Sequence, residues 1–153
     1  METWIKKNAF QLNEQLGLGG VPIGTAFEKI SESEAQYILQ KAWDLGVRYY
    51  DTSPWYGLTR SERTFGAFLK DKPREDFVFS TKVGRLFRKV PENKVPPTMW
   101  LDPLPYDFEH SYTADAVKKA IADSLERSGL IISILYIYMI SQRIKWATVI
   151  LIF

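Results

Sequence analysis

VRYYDTSPWYGLTRSERTFGAFL, residues 47–69, holds a strand, a loop and a helix in that order. Residues 47–51 are rich in β-branched and aromatic side chains and predict a strand ending at Asp51. Pro54 and Gly57 mark the loop. Thr59 and Glu62 have the spacing of a capping box and predict the helix start, with Phe65, Phe68 and Leu69 on one apolar face and Pro73 as the stop. The same grammar repeats on both sides. Upstream, LGLGG at 16–20 reads as a short strand and turn, and 31–46 reads as a helix. Ser31 and Glu34 form its capping box, Ala35, Ile38, Leu39 and Ala42 its apolar stripe, and Gly46 its C-terminal cap. Downstream, FVFSTK at 77–82 is a strand, 84–112 a long loop, and Thr113 the cap of a third helix ending at Gly129. Val117, Ala120, Ile121 and Leu125 are expected to face inward. Residues 133–138 predict a fourth strand. Strands alternating with helices give an α/β chain of βαβ units on a parallel sheet. Right-handed crossovers put every loop that follows a strand on one side of that sheet.

Chemistry in such sheets gathers at the C-terminal ends of the strands. Asp51 ends one strand, Lys82 ends the next, and Tyr56 lies in the loop between. A phenol alone has a pKa of about 10 and is a poor acid at neutral pH. A neighbouring ammonium favours the phenolate, and a carboxylate keeps that ammonium charged and oriented. The three groups together suit a general acid acting on a carbonyl oxygen. Taken singly, Asp51 also reads as a turn or helix cap, Tyr56 as loop packing and Lys82 as a solvated charge. Trp55, Trp100 and the Pro-rich loop read either as pocket lining or as packing.

The bulk numbers exclude several classes. A length of 153 residues suggests one domain, and a net charge of +2 gives no ground for a nucleic-acid or membrane-surface partner. The chain has no cysteine, hence no disulfide or thiolate metal site, and no metal site is expected; this fits a reducing cytoplasm. The first residues hold no apolar run of signal-peptide length, and no stretch reaches the ~18 apolar residues of a membrane span. GLGGVP lacks the G-x-G-x-x-G spacing, so no Rossmann site is expected.

At this point the wording is recognisable. DTSPWYG with SERTFG (51–57 and 61–66) resembles the aldo-keto reductase signature around the catalytic Asp and Tyr. STKVGRL (80–86) resembles that family's catalytic-lysine strand, and AIADSLERSGL (120–130) its third-helix segment. The wording is similar to the branch with L-fucose, D-threo-aldose 1- and pyridoxal 4-dehydrogenases. The resemblance covers about residues 16–130 and implies a (β/α)8 TIM-type barrel, of which this chain holds about four strands and three helices. It implies NADP or NAD as cofactor, and an aldose, pyridoxal or similar carbonyl or alcohol as substrate. It also implies Tyr56, Lys82 and Asp51 as three members of a catalytic tetrad. The loop from Gly20 to Thr25, with Asp51, would border the cofactor.

Two departures set further expectations. The tetrad histidine is expected in a Y-I-H-D-like context, whereas this chain reads YIYMI with Tyr138 in the matching position, after a segment about one residue short. The single histidine, His110, lies in the long loop and is read as an exposed polar residue or a helix-entry contact. Residues 1–130 form one unit and 131–153 a divergent apolar tail with eight isoleucines and no acidic residue. That tail reads as one or two buried strands, an artefactual or frame-shifted end, or a membrane-associating segment. A full barrel of this type needs about 250 residues. The expectation is therefore a barrel cut short, poorly folded alone and inactive, because half-exposed core side chains forgo about 1.5–3 kcal/mol each against a total of about 5–15 kcal/mol. The alternatives are a non-catalytic NADPH-binding or structural module, and a second chain that supplies the missing half.

Overall fold

The protein was analysed as a computed structural model that describes residues 16–130 and 134–138. The elements run β1 (Gly17–Gly19), α1 (Glu32–Asp44), β2 (Tyr49–Asp51), α2 (Arg60–Leu69), β3 (Val78–Val83), β4 (Arg85–Lys89), β5 (Tyr106–His110), α3 (Ala114–Ser128) and β6 (Ile134–Tyr138). Strands β1, β2, β3 and β6 form one parallel sheet in that order, with a helix in each crossover. This is the opening part of a (β/α)8 barrel: four consecutive strands and three helices.

Local chemistry explains the helices. Ser31 and Glu34 make the full reciprocal capping box on α1, and Thr113 accepts from the Ala116 amide to cap α3. Gly129 ends α3 in the left-handed region at φ 65°, as its position past the last turn requires. Ala35, Leu39 and Ala42 of α1 are buried, but Ile38 is largely exposed, at the edge of the stripe. On α2, Phe65, Phe68 and Leu69 enter the core beside Tyr50 of β2 and Phe79 of β3. In α3 the most buried positions are Ala116, Ala120, Ser124 and Ser128, while Val117, Ile121 and Leu125 pack partly buried against the core. Gly66 lets α2 meet the end of α3, since a Cβ there would stand 2.2 Å from the Ser128 carbonyl oxygen.

Three expectations need correction. The capping box at Thr59 and Glu62 does not form. Thr59 sits in the left-handed region at φ 79° without a side-chain cap, and Glu62 is fully buried. Glu62 accepts from Thr81 Oγ1 at 2.6 Å, Ser124 Oγ at 2.8 Å and Arg127 Nε at 2.6 Å, so one carboxylate joins α2, β3 and α3. Next, the 84–112 segment is not all loop: β4 and β5 pair antiparallel, with Phe87 opposite Phe108 and an Arg88–Asp107 ion pair beside them. Finally, β2 is shorter than the predicted 47–51 strand, because Val47 and Arg48 lie before it. Of the tail, Ile134–Tyr138 is a strand as expected; residues 131–133 and 139–153 lie outside the described residues.

The Glu62–Arg127 pair yields a stability prediction. Removing one partner strands the other as a buried charge, so Arg127→Ala should destabilise the fold by about 3–5 kcal/mol. Urea unfolding followed by circular dichroism measures it; a loss under about 1 kcal/mol, the range of exposed pairs, would contradict a buried role.

Candidate functional site

Strand alternation sends Tyr49 and Asp51 to one face of β2, and Ser80 and Lys82 to the same face of β3. Tyr50, Phe79 and Thr81 point to the helices. Register places Asp51 opposite Ser80. Thr52, at the end of β2, continues the ladder by donating its amide to the Ser80 carbonyl at 2.8 Å. The two strand ends are thus held side by side by backbone bonds.

Lys82 is the hub. Its Nζ donates to Asp51 Oδ1 at 2.7 Å and to the Thr52 carbonyl at 2.8 Å, with its side chain 11% exposed. An ammonium has three donors, so one remains. Nζ lies 5.0 Å from the centroid of the Tyr56 ring. The other oxygen of Asp51 accepts from Ser80 Oγ at 2.7 Å. Ser80 Oγ in turn lies 3.1 Å from the Tyr49 hydroxyl, which must donate because the serine proton is committed to Asp51. The structure therefore brings Asp51, Tyr56 and Lys82 together. Ser80 was legible as a partner, being two residues before Lys82 on the same face of one strand. Tyr50 is a different kind of tyrosine: its hydroxyl donates to the Val47 carbonyl, and burial pushes its pKa up to about 12.

The loop that carries Tyr56 is clamped from two sides. Gly57, Leu58 and Thr59 are all left-handed, at φ 66°, 50° and 79°, a conformation costing of order 1–3 kcal/mol for each non-glycine residue. Leu58 and Thr59 are fully buried, which fixes them there. Gly24 packs directly under Tyr56: a Cβ would stand 2.7 Å from the Tyr56 carbonyl carbon. Gly20 is equally confined, with its carbonyl accepting from Ser61 Oγ at 3.0 Å. Thr25 is fully buried and tethers the segment that joins β4 to β5, its hydroxyl accepting from the Asp102 amide at 3.1 Å and its carbonyl from the Leu101 amide at 3.0 Å. Both thus lie in the β1 loop beside Tyr56, with side-chain and backbone bonds spent on neighbouring loops.

The hairpin supplies an aromatic flank. Trp55 meets Phe108 at 4.8 Å and Trp100 at 5.8 Å, edge to face, and Trp100 also contacts the Tyr56 ring at 5.8 Å. The buried indole N–H of Trp100 has no acceptor among the described residues. Arg85 stacks on Trp55 at 4.6 Å. Ser53, Pro54, Trp55, Lys82, Val83 and Arg85 line a recess at the strand ends. His110 is away from the Asp51–Lys82 pair, exposed on β5, and its Nε2 accepts from Arg85 Nε at 3.1 Å. Sequence reasoning missed this hairpin flank, because its pairing joins residues about twenty apart in the chain. In the backbone register Val83 stands opposite Tyr138 and Lys82 opposite Ile137. Among the described residues no cluster of metal-ligating side chains is present, and no helix is long and apolar enough to cross a membrane.

His110 gives a pH prediction. Partial burial, then the Arg85 charge, lowers its pKa from the ordinary value. A lowered folded pKa means the neutral form is favoured by folding, so this contribution is present above the unfolded value of about 6.5 and is lost as pH falls through the folded value. Protonation at Nε2 also removes the acceptor for Arg85. Tryptophan fluorescence, which reports Trp55 under Arg85, should change on acidification below pH ~6.5 in the native chain and stay flat in His110→Gln; an identical profile in both would contradict the assignment.

A sequence model described as the aldo/keto reductase family matches residues 15–140. The chain is 45% identical over 129 residues to a D-threo-aldose 1-dehydrogenase from Pseudomonas sp, covering 80% of this chain and 39% of that protein. It is 35% identical over 137 residues to a pyridoxal 4-dehydrogenase from Microbacterium luteolum, covering 83% of this chain and 40% of that one. The chain therefore spans about two fifths of the length of these relatives. Among solved structures, an aldo-keto reductase from Bacillus halodurans in its holo form superposes with a TM-score of 0.61 at 27% identity, covering 81% of this chain and 35% of that one. With the strand order and the loop positions already described, these matches establish that the chain belongs to the aldo/keto reductase family.

Proposed function

We propose that this chain carries the proton-transfer groups of an NAD(P)-dependent oxidoreductase site acting on an aldose, pyridoxal or a similar carbonyl or alcohol. One observation carries the reading: the Lys82 ammonium, fixed by Asp51 at 2.7 Å, lies 5.0 Å from the Tyr56 ring centroid. In the reducing direction Tyr56 gives its hydroxyl proton to the substrate oxygen. The phenolate left behind is stabilised by the adjacent Lys82 ammonium. Asp51 orients Lys82, and Ser80 orients Asp51. In the oxidising direction the same groups take the proton back. The aromatic flank of Trp55 and Trp100 excludes water from one side of the reacting oxygen.

The donor set suits the reactive end of a nicotinamide cofactor, NADP or NAD. Lys82 lines a recess at the strand ends together with Ser53, Pro54, Trp55, Val83 and Arg85, and in this reading the β1 loop from Gly20 to Thr25, with Asp51, borders the cofactor. When bound, that cofactor supplies or accepts the hydride at the carbonyl carbon. The backbone groups of Gly20 and Thr25 are already engaged by neighbouring segments, so in this reading the two residues shape the loop that borders the cofactor. Contacts to its phosphates are assigned to barrel elements beyond the four strands, so turnover needs those elements. A protein of these 153 residues alone is accordingly expected to be inactive. The cytoplasm is the proposed compartment. The assembled ion pair with its phenol favours this reading over a structural or purely NADPH-binding module, which needs no such set.

A chimera tests the reading. The chain joined to the remaining part of the 45%-identical aldose dehydrogenase should oxidise an aldose with NAD or NADP. Tyr56→Phe in the chimera should lower kcat by about 10²–10⁴-fold, the usual worth of a positioned general acid, with the cofactor Kd unchanged. A Tyr56→Phe chimera of undiminished kcat would remove Tyr56 from the mechanism.

A further inference from the structure

Arg85 and Lys82 line the same recess at the strand ends, and the situation of Arg85 is unusual for a surface cation. Its guanidinium plane lies over the Trp55 ring at 4.6 Å and near Phe108 at 5.7 Å, while its Nε–H is spent on His110. These three contacts fix the orientation of the group. Among the described residues the terminal NH2 groups meet no hydrogen-bond acceptor and no carboxylate within ion-pair distance. The contrast with the other cation of the recess is direct, since Lys82 is neutralised by Asp51. Burial lowers the Arg85 pKa from its ordinary value, and the neighbouring Tyr112 opposes that shift. Such a group is prepared for an anion: a planar guanidinium takes an oxyanion through two parallel N–H bonds. It lines the same recess at the strand ends as Lys82.

We propose that Arg85 is a specificity-determining residue, and that the site takes carbonyl or alcohol substrates bearing an oxyanion, a carboxylate or a phosphate. This rests on the reading of the recess as the substrate site. The sugar or ring stacks against Trp55, and its anionic group meets the free edge of the guanidinium. His110 is a positioning residue here, because it holds Arg85 by Nε and leaves the terminal nitrogens to the ligand.

Binding without turnover separates this from the proton-transfer reading. The full 153-residue chain is titrated with D-galactose, D-galacturonate and D-galactose 6-phosphate while tryptophan fluorescence is followed. A charge-assisted pair should make one of the anionic sugars bind about 10- to 100-fold more tightly than galactose. The stronger of the two names the anion, carboxylate or phosphate. Arg85→Gln should abolish the preference, and Arg85→Lys should keep part of it, so a folded control exists if the glutamine variant unfolds. Tyr56→Phe should leave the preference intact, whatever it does to kcat in the chimera. Equal affinity for all three sugars, no saturable binding of any, or a preference that survives Arg85→Gln would overturn the proposal while leaving the role of Tyr56 to its own experiment.

Discussion

The Lys82 ammonium, gripped between the Asp51 carboxylate and the Thr52 carbonyl, is the contact on which the rest of the arrangement depends. A cation that close to the interior is tolerable only when its charge is matched and its donors are used. The sheet meets that demand by register. Asp51 and Ser80 are opposite one another, Lys82 follows two residues on, and the backbone ladder runs past the end of β2. The ion pair then sets where an aromatic hydroxyl is useful, and the loop after β2 delivers Tyr56 there through three consecutive left-handed residues.

Around that contact the molecule divides into two faces with different chemistry. Side chains directed at the helices are apolar or, where polar, consumed by one another: Glu62, Thr81, Ser124 and Arg127 form a closed set. Side chains directed to the other face retain unused capacity, in the third donor of Lys82, the terminal nitrogens of Arg85 and the indole of Trp100. Stability and chemistry are thereby separated by the simple alternation of β3, in which neighbouring residues Thr81 and Lys82 serve opposite purposes.

The sequence made the parallel α/β frame and the Asp51, Tyr56, Lys82 set readable, because both are local: a repeat of strand and helix, and three residue types at strand ends. What it concealed was long-range. Ser31–Glu34 and Thr59–Glu62 show the same spacing, yet only the first is a capping box, since Arg127 and Ser124, over sixty residues away, capture Glu62. The β4–β5 hairpin was hidden for the same reason. Its strands are short, and the segment joining them is interrupted by prolines, so nothing nearby announces that Phe87 will meet Phe108. The flank it gives to Trp55 and Arg85 followed from that pairing and was equally invisible. Tyr138, where the resemblance led to the expectation of a histidine, lies in register one residue beyond the Lys82 partner.

The claim that Tyr56 and Lys82 act as one unit is open to a direct measurement, a double-mutant cycle on kcat in the chimeric enzyme. Groups that cooperate in one step are far from additive. Tyr56→Phe, Lys82→Met and the double variant should all fall to a similar residual rate, the second change adding little to the first. Losses that multiply, so that the double variant is slower by the product of the two single effects, would mean that phenol and ammonium serve separate steps, and the account would be wrong.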